Sequence, residues 1–580
     1  MAAGFAGVTP TEGDGFGRAW VALGRMARLG GEAARLARVA PACAFGPGES
    51  ELAETEDGSD ALLVTGYVRD GAQVLGAAEL LSRWRRSGPD LLPSLSGEFA
   101  LAVFVGGELV LARDRLGTRP LYVGELDSGG SVFATSIRAL LTAGVEAAVD
   151  RDAVVRSLVL GYVPAPRTML AGVRQLGPGE AWWLGPWPKT WCYYRPRERL
   201  NRRRSLAAAA QELDRTVTAA VARALPARGR VGAFLSGGLD SSLVLARLAE
   251  RGMPVRAFTL HFGDHLAGEL RYARAVAGHL GVPHQVLELD DRKFCDGITP
   301  ALDELEDLLS EPISVPNYLL AREAAKSVDV LFTGEGGDPP FGGPKNIGMA
   351  LAFAYRDLPG APSPGEAYLA AYHHLAEDLE RALTPEWSAC FDQSRLVADV
   401  AEPFLDGTPD GRRSTFVGQL MIANTVLKGG SNILIKAAKM VGAYGLRLRS
   451  PLFDPAVVDL AFTIPPWHKL RGTDEKLVLK AAAAASLPRA VIDRPKRGMG
   501  VPLRAWLSGH LGELARDVLT ERAVRARGLF RWDYVDGLLR ARPVASDLAR
   551  SRSAEKLWLV LISELVQQGI ERRMRLEEAA

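Results

Sequence analysis

Cysteine is scarce in this chain, with four among 580 residues, at Cys43, Cys192, Cys295 and Cys390. They lie far apart and form no C-x-x-C pair, which argues against a disulfide framework or a structural zinc and suits a reducing compartment. Long apolar runs are missing as well: none approaches the roughly 20 residues needed to span a bilayer. No sign of charge dominates. Lys and Arg total 70 against 68 Asp and Glu, a net charge of +2, so the balance gives no argument for a nucleic-acid or membrane partner. The N-terminus, Met1-Ala-Ala-Gly-Phe-Ala-Gly7, is soon followed by Glu12 and Asp14 and lacks the basic and apolar stretches of a signal peptide. A cytoplasmic protein is expected. Internal repeats and low-complexity tracts are absent.

Apolar residues make up 47% of the chain, enough for well-packed globular domains. The length suggests three or four domain-sized units, or two large ones. Up to about residue 190 the texture is that of a β-rich domain, with short apolar runs set off by turn signals, such as Ala61–Gly66, Phe99–Val105 and Glu108–Ala112. Pro196 to Arg204 is polar and basic and reads as a solvated linker. From Leu206 onward, strand candidates alternate with longer helical patterns: Val231–Leu235, Val255–Phe262, Gln285–Leu289 and Asp329–Thr333. That alternation predicts a parallel sheet with helices on both faces. After Gly348 the pattern is mostly helical, and the alanine run 481–485 reads as helix. The expected division is residues 1–195, a linker 196–206, and residues 207–580.

One stretch carries most of the chemistry: Val231-Gly-Ala-Phe-Leu-Ser-Gly-Gly-Leu-Asp-Ser-Ser242. A buried strand breaks into Ser236, Gly237 and Gly238, and a helical pattern follows. Glycines let the backbone bend sharply, so that freed amides and a helix N-terminus point at an anion. Asp240 is placed to hold a divalent cation on polyphosphate. The loop is not a Walker A sequence, which needs G-x-x-x-x-G-K-[ST]. It matches the SGG-x-DS loop of enzymes that split ATP into AMP and pyrophosphate. A glycine-rich surface turn is the plainer alternative. The pair His261 and His265, with Asp264 between them, suggests a metal at first sight. No third ligand stands at suitable spacing, so a loop is expected there.

Taken in order, the motifs resemble the asparagine synthetase family, which includes β-lactam synthetases and lasso-peptide macrolactam synthetases. In the first part these are Leu95-Ser-Gly-Glu-Phe-Ala100, Leu111-Ala-Arg-Asp-Arg-Leu-Gly-Thr-Arg-Pro-Leu-Tyr122, Phe133–Leu140, Tyr162–Thr168 and Leu176–Gly179. In the second they are Ser236–Ser242, Thr333-Gly-Glu-Gly-Gly-Asp338 with Phe341–Gly343, Arg449-Ser-Pro-Leu-Phe-Asp454 and Arg494–Gly498. The resemblance implies an α+β Ntn-hydrolase-like β-sandwich domain of the type 2 glutamine amidotransferase kind. An α/β pyrophosphate-loop synthetase domain (adenine nucleotide α hydrolase-like) with a helical C-terminal part would follow it.

The resemblance also implies site residues. Ser236, Gly237, Gly238, Asp240, Ser241 and Ser242 would hold Mg-ATP, with Asp240 and Asp338 on Mg²⁺. Leu235, Leu260 and Gly334 would line the adenosine pocket, and Lys476 would meet pyrophosphate. Lys496 would stabilise charge during acyl transfer. Glu335 would help an incoming amine lose its proton, a place that is tyrosine in β-lactam synthetases. Capping a helix is the alternative role for Glu335.

Departures from the family pattern are as informative. The processed N-terminal cysteine that attacks glutamine falls on Ala3, and the Asn-Gly-Glu segment that binds glutamine falls on Thr65-Gly66-Tyr67. The Gly-Ser-Asp segment falls near Gly76-Ala77-Ala78. Cys43 is a poor replacement nucleophile, since Ala-Cys-Ala-Phe reads as buried. Asp338 is followed by Pro339 and Pro340, where the family has an acidic residue. The family's Asp, Ser-Met and Glu near the acceptor pocket fall on Ala438, Val441-Gly442 and Arg447. These changes imply a silent glutaminase domain, an intact ATP site, and an acceptor other than aspartate. Arg447 either meets an acidic group of the substrate or pairs internally.

The expected activity is an ATP-dependent amide ligase acting on a small-molecule or peptide carboxylate and on ammonia or an amine. A homodimer is a compatible assembly. Three rivals stand beside it: a glutamine-hydrolysing asparagine synthetase, an intramolecular β-lactam or macrolactam cyclase, and a non-catalytic scaffold.

Overall fold

The computed structural model describes residues 4–9, 35–37, 42–45, 49–126, 130–185, 187–263, 267–343, 346–349, 351, 358–372, 375–405, 414–494, 500–541 and 552–578. Ala3, Asp264, His265 and Lys496 lie outside these residues. Cys43 falls in the strand Ala42–Phe45, but its side chain lies outside the described ones.

Two antiparallel sheets build the first part. One runs Val173–Gln175, Tyr122–Glu125, Ser131–Ala134, Gly4–Val8, Ala42–Phe45, Arg35–Ala37. The other runs Lys189–Cys192, Glu180–Leu184, Glu108–Arg113, Leu95–Val105, Ala61–Asp70, Ser50–Glu54, with Gln73–Leu75 also beside Ala61–Asp70. The strand candidates at 61–66, 99–105 and 108–112 all lie in the second sheet. A core that joins the sheets contains Phe5, Leu63, Ala100, Leu111 and Phe133, all fully buried. The helix Ala77–Ser87 covers the second sheet's other face with Leu80, Leu81 and Trp84. The fold is thus a sandwich, as two half-buried sheets require.

The stretch Pro196–Arg204 is less solvated than its composition suggests. Glu198 is buried and accepts hydrogen bonds from the Thr415 backbone N–H at 2.5 Å and from Thr415 Oγ1 at 2.8 Å. It ties the connection onto the start of the helix Phe416–Ala423.

The second part is built on a five-stranded parallel sheet in the order His284–Glu288, Val255–His261, Val231–Phe234, Val330–Phe332, Arg447–Arg449. All four strand candidates read from the sequence are strands here. The fifth, Arg447–Arg449, is too short to register as a pattern. Strand order reverses at Val231–Phe234: later strands are added first on one side and then on the other. A crevice opens at such a switch point, beyond the carboxyl ends of the strands, and both motif loops leave the sheet there. The helices Leu206–Ala224, Leu239–Ala249 and Leu477–Ala483 share one core with the sheet through Leu213, Leu243 and Leu479. A larger apolar cluster continues from Tyr122, Ile137 and Val154 of the first part to Phe258 and Leu331 of the second. Helices dominate after residue 348, ending in Ser553–Glu578.

Candidate active site

The crevice is a cavity of about 870 Å³. That is near the upper end for small-molecule sites, with room for a nucleotide and a second substrate. Its lining includes Leu235, Ser236, Gly238, Asp240, Ser241, Leu260, Gly334, Glu335, Asp338 and Lys476. Residues separated by more than 200 positions in the chain therefore share one space. Gly237 and Ser242 are not part of the lining. Ser242 is fully buried, with no hydrogen-bond partner for its Oγ among the described residues.

The loop is held open by its own side chains. Ser241 Oγ accepts from the Ser236 N–H at 3.1 Å and lies 3.0 Å from Ser236 Oγ. Gly237 takes a φ of +68°, and a Cβ there would stand 2.5 Å from the Ala273 backbone nitrogen. Gly334 faces the loop so closely that its Cβ would lie 2.4 Å from the Ser241 nitrogen. Glycine is required at both places by contact with main chain, which cannot yield as a flexible side chain can. The helix Leu239–Ala249 starts at Gly238 with no side-chain cap. Leu239, Asp240 and Ser241 in its first turn line the cavity, and a helix N-terminus so placed suits phosphate.

Arg494 clamps the outside of the loop. It donates to Gly237 O at 2.9 Å and to Glu269 at 2.8 Å, and its guanidinium sits 4.6 Å from the centre of the Tyr272 ring.

Asp240 and Asp338 converge on one cation. Lys476 Nζ lies 2.5 Å from Asp240 Oδ2 and also contacts Asp338 Oδ1. Burial works against the charged ammonium, but the two carboxylates outweigh it, and Lys476 titrates above its usual range. Its backbone is left-handed, with a φ of 54°, uncommon outside glycine and suggestive of functional strain. Hard oxygen donors focused on one positive charge fit Mg²⁺. Among the described residues no cluster of three or more Asp, Glu, His or Cys is positioned for a metal. Phosphate oxygens or water must therefore complete any coordination shell. Pro339 and Pro340 follow Asp338 in the first turn of Asp338–Phe341, where missing N–H groups cost nothing to the helix.

The far half of the cavity is built from Glu311, Asn317, Tyr372, Lys428, Ile433, Lys436, Met440 and Val441. Glu311 pairs with Lys428 at 3.1 Å and with Lys436. Burial opposes the Lys436 charge, yet Glu311 and Glu335 hold its pKa above the ordinary lysine value. Lys428 lies in the π-helical stretch Asn424–Ile433, an irregularity common at functional sites. The C-terminal helix closes this side: Trp558 lines the cavity and donates its ring N–H to Ser310 O at 2.7 Å.

Sequence reading missed Glu311, Lys428, Lys436, Arg494 and Trp558 as individual site residues. Of these, Arg494 lay inside a recognised motif and Lys436 in the altered segment that carries Ala438 and Arg447. Arg447 pairs internally, donating to Arg228 O at 3.1 Å, at the strand end away from the cavity. Ala438 and Gly442 do not line the cavity, whereas Val441 does. In the first part, Thr65 is buried and accepts from Ser50 Oγ at 3.2 Å, and the Tyr67 ring is covered by the Arg449 guanidinium at 4.6 Å. Among the described residues no helix is long and apolar enough to cross a membrane.

Comparison with known proteins agrees with this architecture. Residues 212–568 match the asparagine synthase family, and residues 76–187 match the glutamine amidotransferase domain. A Bacillus subtilis (strain 168) protein described as asparagine synthetase [glutamine-hydrolyzing] 1 is 27% identical over 86% of this chain and 82% of its own length. A putative asparagine synthetase [glutamine-hydrolyzing] of Mycobacterium bovis is 29% identical over 75% of this chain and 72% of its own. Asparagine synthetase B [glutamine-hydrolyzing] of Escherichia coli (strain K12) is 24% identical over 78% of this chain and 70% of its own. Fold, cavity and comparisons define an ATP-dependent carbon–nitrogen ligase. The family match covers well over half of the chain, which therefore belongs to the asparagine synthase family.

Proposed function

We propose that this chain activates a carboxylate other than aspartate as an acyl-adenylate and forms an amide without drawing nitrogen from glutamine. A carboxylate oxygen of the substrate attacks the α-phosphorus of ATP; the α–β bridging P–O bond breaks and pyrophosphate leaves. An amine nitrogen then attacks the acyl carbon, the C–O bond to AMP breaks, and the amine gives up a proton. Ammonia, an external amine and an amine on the substrate itself all satisfy this scheme.

The observation that carries the reading is the meeting of the Ser236–Ser241 loop, Asp240, Asp338, Lys476 and Glu335 in one cavity. Loop amides and Lys476 bind the polyphosphate and hold it in line. Asp240 and Asp338 would hold Mg²⁺, which neutralises phosphate charge when bound. Leu235, Leu260 and Gly334 flank the nucleoside. Glu335 receives the amine proton, on the side of the cavity where Glu311, Lys428 and Lys436 form the acceptor wall. Lys496 stabilises the acyl-transfer step; Arg494 and Gly500, which bracket it in sequence, both line the cavity.

Ala3 replaces the thiol nucleophile of the family, and Tyr67 under Arg449 occupies a position the family uses for glutamine. Both support a silent glutaminase. A carboxylate screen by pyrophosphate release, with AMP and ADP measured in parallel, tests the proposal. Equimolar AMP and pyrophosphate are expected. ADP and phosphate, or glutamate released from glutamine, would overturn it.

A further inference from the structure

If the first domain no longer splits glutamine, its retention needs another reason. Two separate contacts reach from it to the walls of the acceptor half. The first runs through Glu49. Its carboxylate pairs with Arg119 at 2.6 Å within its own domain and with Arg449 across the interface. Burial would push the Glu49 pKa up, but Arg449 and Arg119 outweigh it and keep the carboxylate ionised. Alongside, Glu98 accepts from the Ser450 N–H at 3.0 Å. The Arg449 carbonyl in turn accepts from the Thr333 N–H at 2.9 Å, one residue before Gly334 and Glu335.

The second contact runs through Arg113, which is fully buried. It donates to Gly430 O at 2.8 Å, in the stretch that carries Lys428. Gly430 lies so close to the first domain that a Cβ would stand 2.2 Å from Pro178 Cγ.

We propose that the amidotransferase-like domain acts as a brace: Glu49 and Arg113 are positioning residues that hold the two faces of the acceptor pocket, one bearing Glu335 and the other Lys428. The inference rests on the ligase reading only for the meaning of the pocket; the mechanical coupling is independent of it. Neither contact touches the Ser236–Ser242 loop directly; only the Glu49 contact adjoins the nucleotide side, through Gly334, which packs on the Ser241 nitrogen.

Hydrogen exchange on the full-length protein tests the coupling without any acceptor. Glu49→Gln keeps the shape and removes the charge. Exchange at Thr333–Glu335 should quicken about tenfold or more, with 236–242 and 426–433 unchanged. Gly430→Ala should quicken 426–433 and leave 333–335 unchanged. Mg-ATP should raise the melting temperature of wild type and Gly430→Ala equally. With a carboxylate found by the pyrophosphate screen, KM for that carboxylate should rise about tenfold in both variants, while KM for ATP holds in Gly430→Ala. Exchange unchanged at both segments overturns the brace, as does equal quickening in the 236–242 loop. Failure of Mg-ATP to stabilise even wild type would count against the ligase reading and leave the exchange result standing.

Discussion

Replacing Lys476 with methionine removes the ammonium that Asp240 and Asp338 share. Lys476 is 2% exposed and Asp240 13%, whereas Asp338 is 46% exposed. Removing one member of a fully buried ion pair costs about 3–5 kcal/mol. Solvent at Asp338 puts this case at the low end, about 3 kcal/mol. With an unfolding entropy of about 2.1 cal/mol/K per residue, the proposed 207–580 unit, about 370 residues if it melts by itself, should melt ~4 °C lower. The two carboxylates left behind then form a better site for a divalent cation than wild type, where the ammonium competes. At 100 times its Kd, Mg²⁺ should restore about 2.7 kcal/mol in Lys476→Met. Differential scanning calorimetry with and without MgCl₂ measures both effects. An unchanged melting temperature, or Mg²⁺ stabilising wild type and variant alike, would refute the shared-cation reasoning. Activity should stay low in either condition, since the proposed pyrophosphate contact is gone.

Glu335→Gln should keep carboxylate-dependent pyrophosphate release and lose amide formation by about 10²–10⁴-fold; equal loss of both would make Glu335 structural. Gly334→Ala drives a Cβ against the Ser241 nitrogen and should weaken Mg-ATP at least tenfold, about 1.4 kcal/mol, by calorimetric titration. Unchanged affinity would detach Gly334 from the nucleotide. Burial raises the Glu98 pKa to about 7, the attraction of Arg449 and Arg119 offsetting only part of it. The folded protein therefore holds a proton that the unfolded chain has released, so stability should fall as pH rises from about 4.5 to about 7, by up to ~3 kcal/mol. Glu98→Gln should flatten that part of the profile in melts across pH; an identical slope would falsify the assignment.

What could be read in advance was local. The Ser236–Ser242 loop announces itself because strand, glycines and helix are contiguous, and the parallel sheet follows from repeated strand and helix patterns. Lys476 was reached through its motif neighbours, but its grip on both aspartates spans 236 residues to Asp240 and has no local signature. Glu311, Lys428 and Lys436 are ordinary charged residues in sequence; only packing reveals that they converge. Arg447 left two roles open until the sheet placed it at the wrong strand end for the cavity. Pro196–Arg204 read as solvated because composition cannot show that Glu198 is capped by Thr415. The half of the cavity proposed for the acceptor was least legible, since the irregular stretch Asn424–Ile433 and the distant helix Ser553–Glu578 build it.

That last contribution has a consequence for how the enzyme comes into being. The cavity is walled by residues from Phe234 to Leu559, and Trp558 seals it through Ser310. During synthesis at 5–20 residues per second, the pyrophosphate loop leaves the ribosome on the order of 15–65 s before its last wall. For much of that interval the sheet itself still lacks Val330–Phe332 or Arg447–Arg449, and the pocket stands half-built. The pocket has its full wall only once the residues up to Leu559 have emerged.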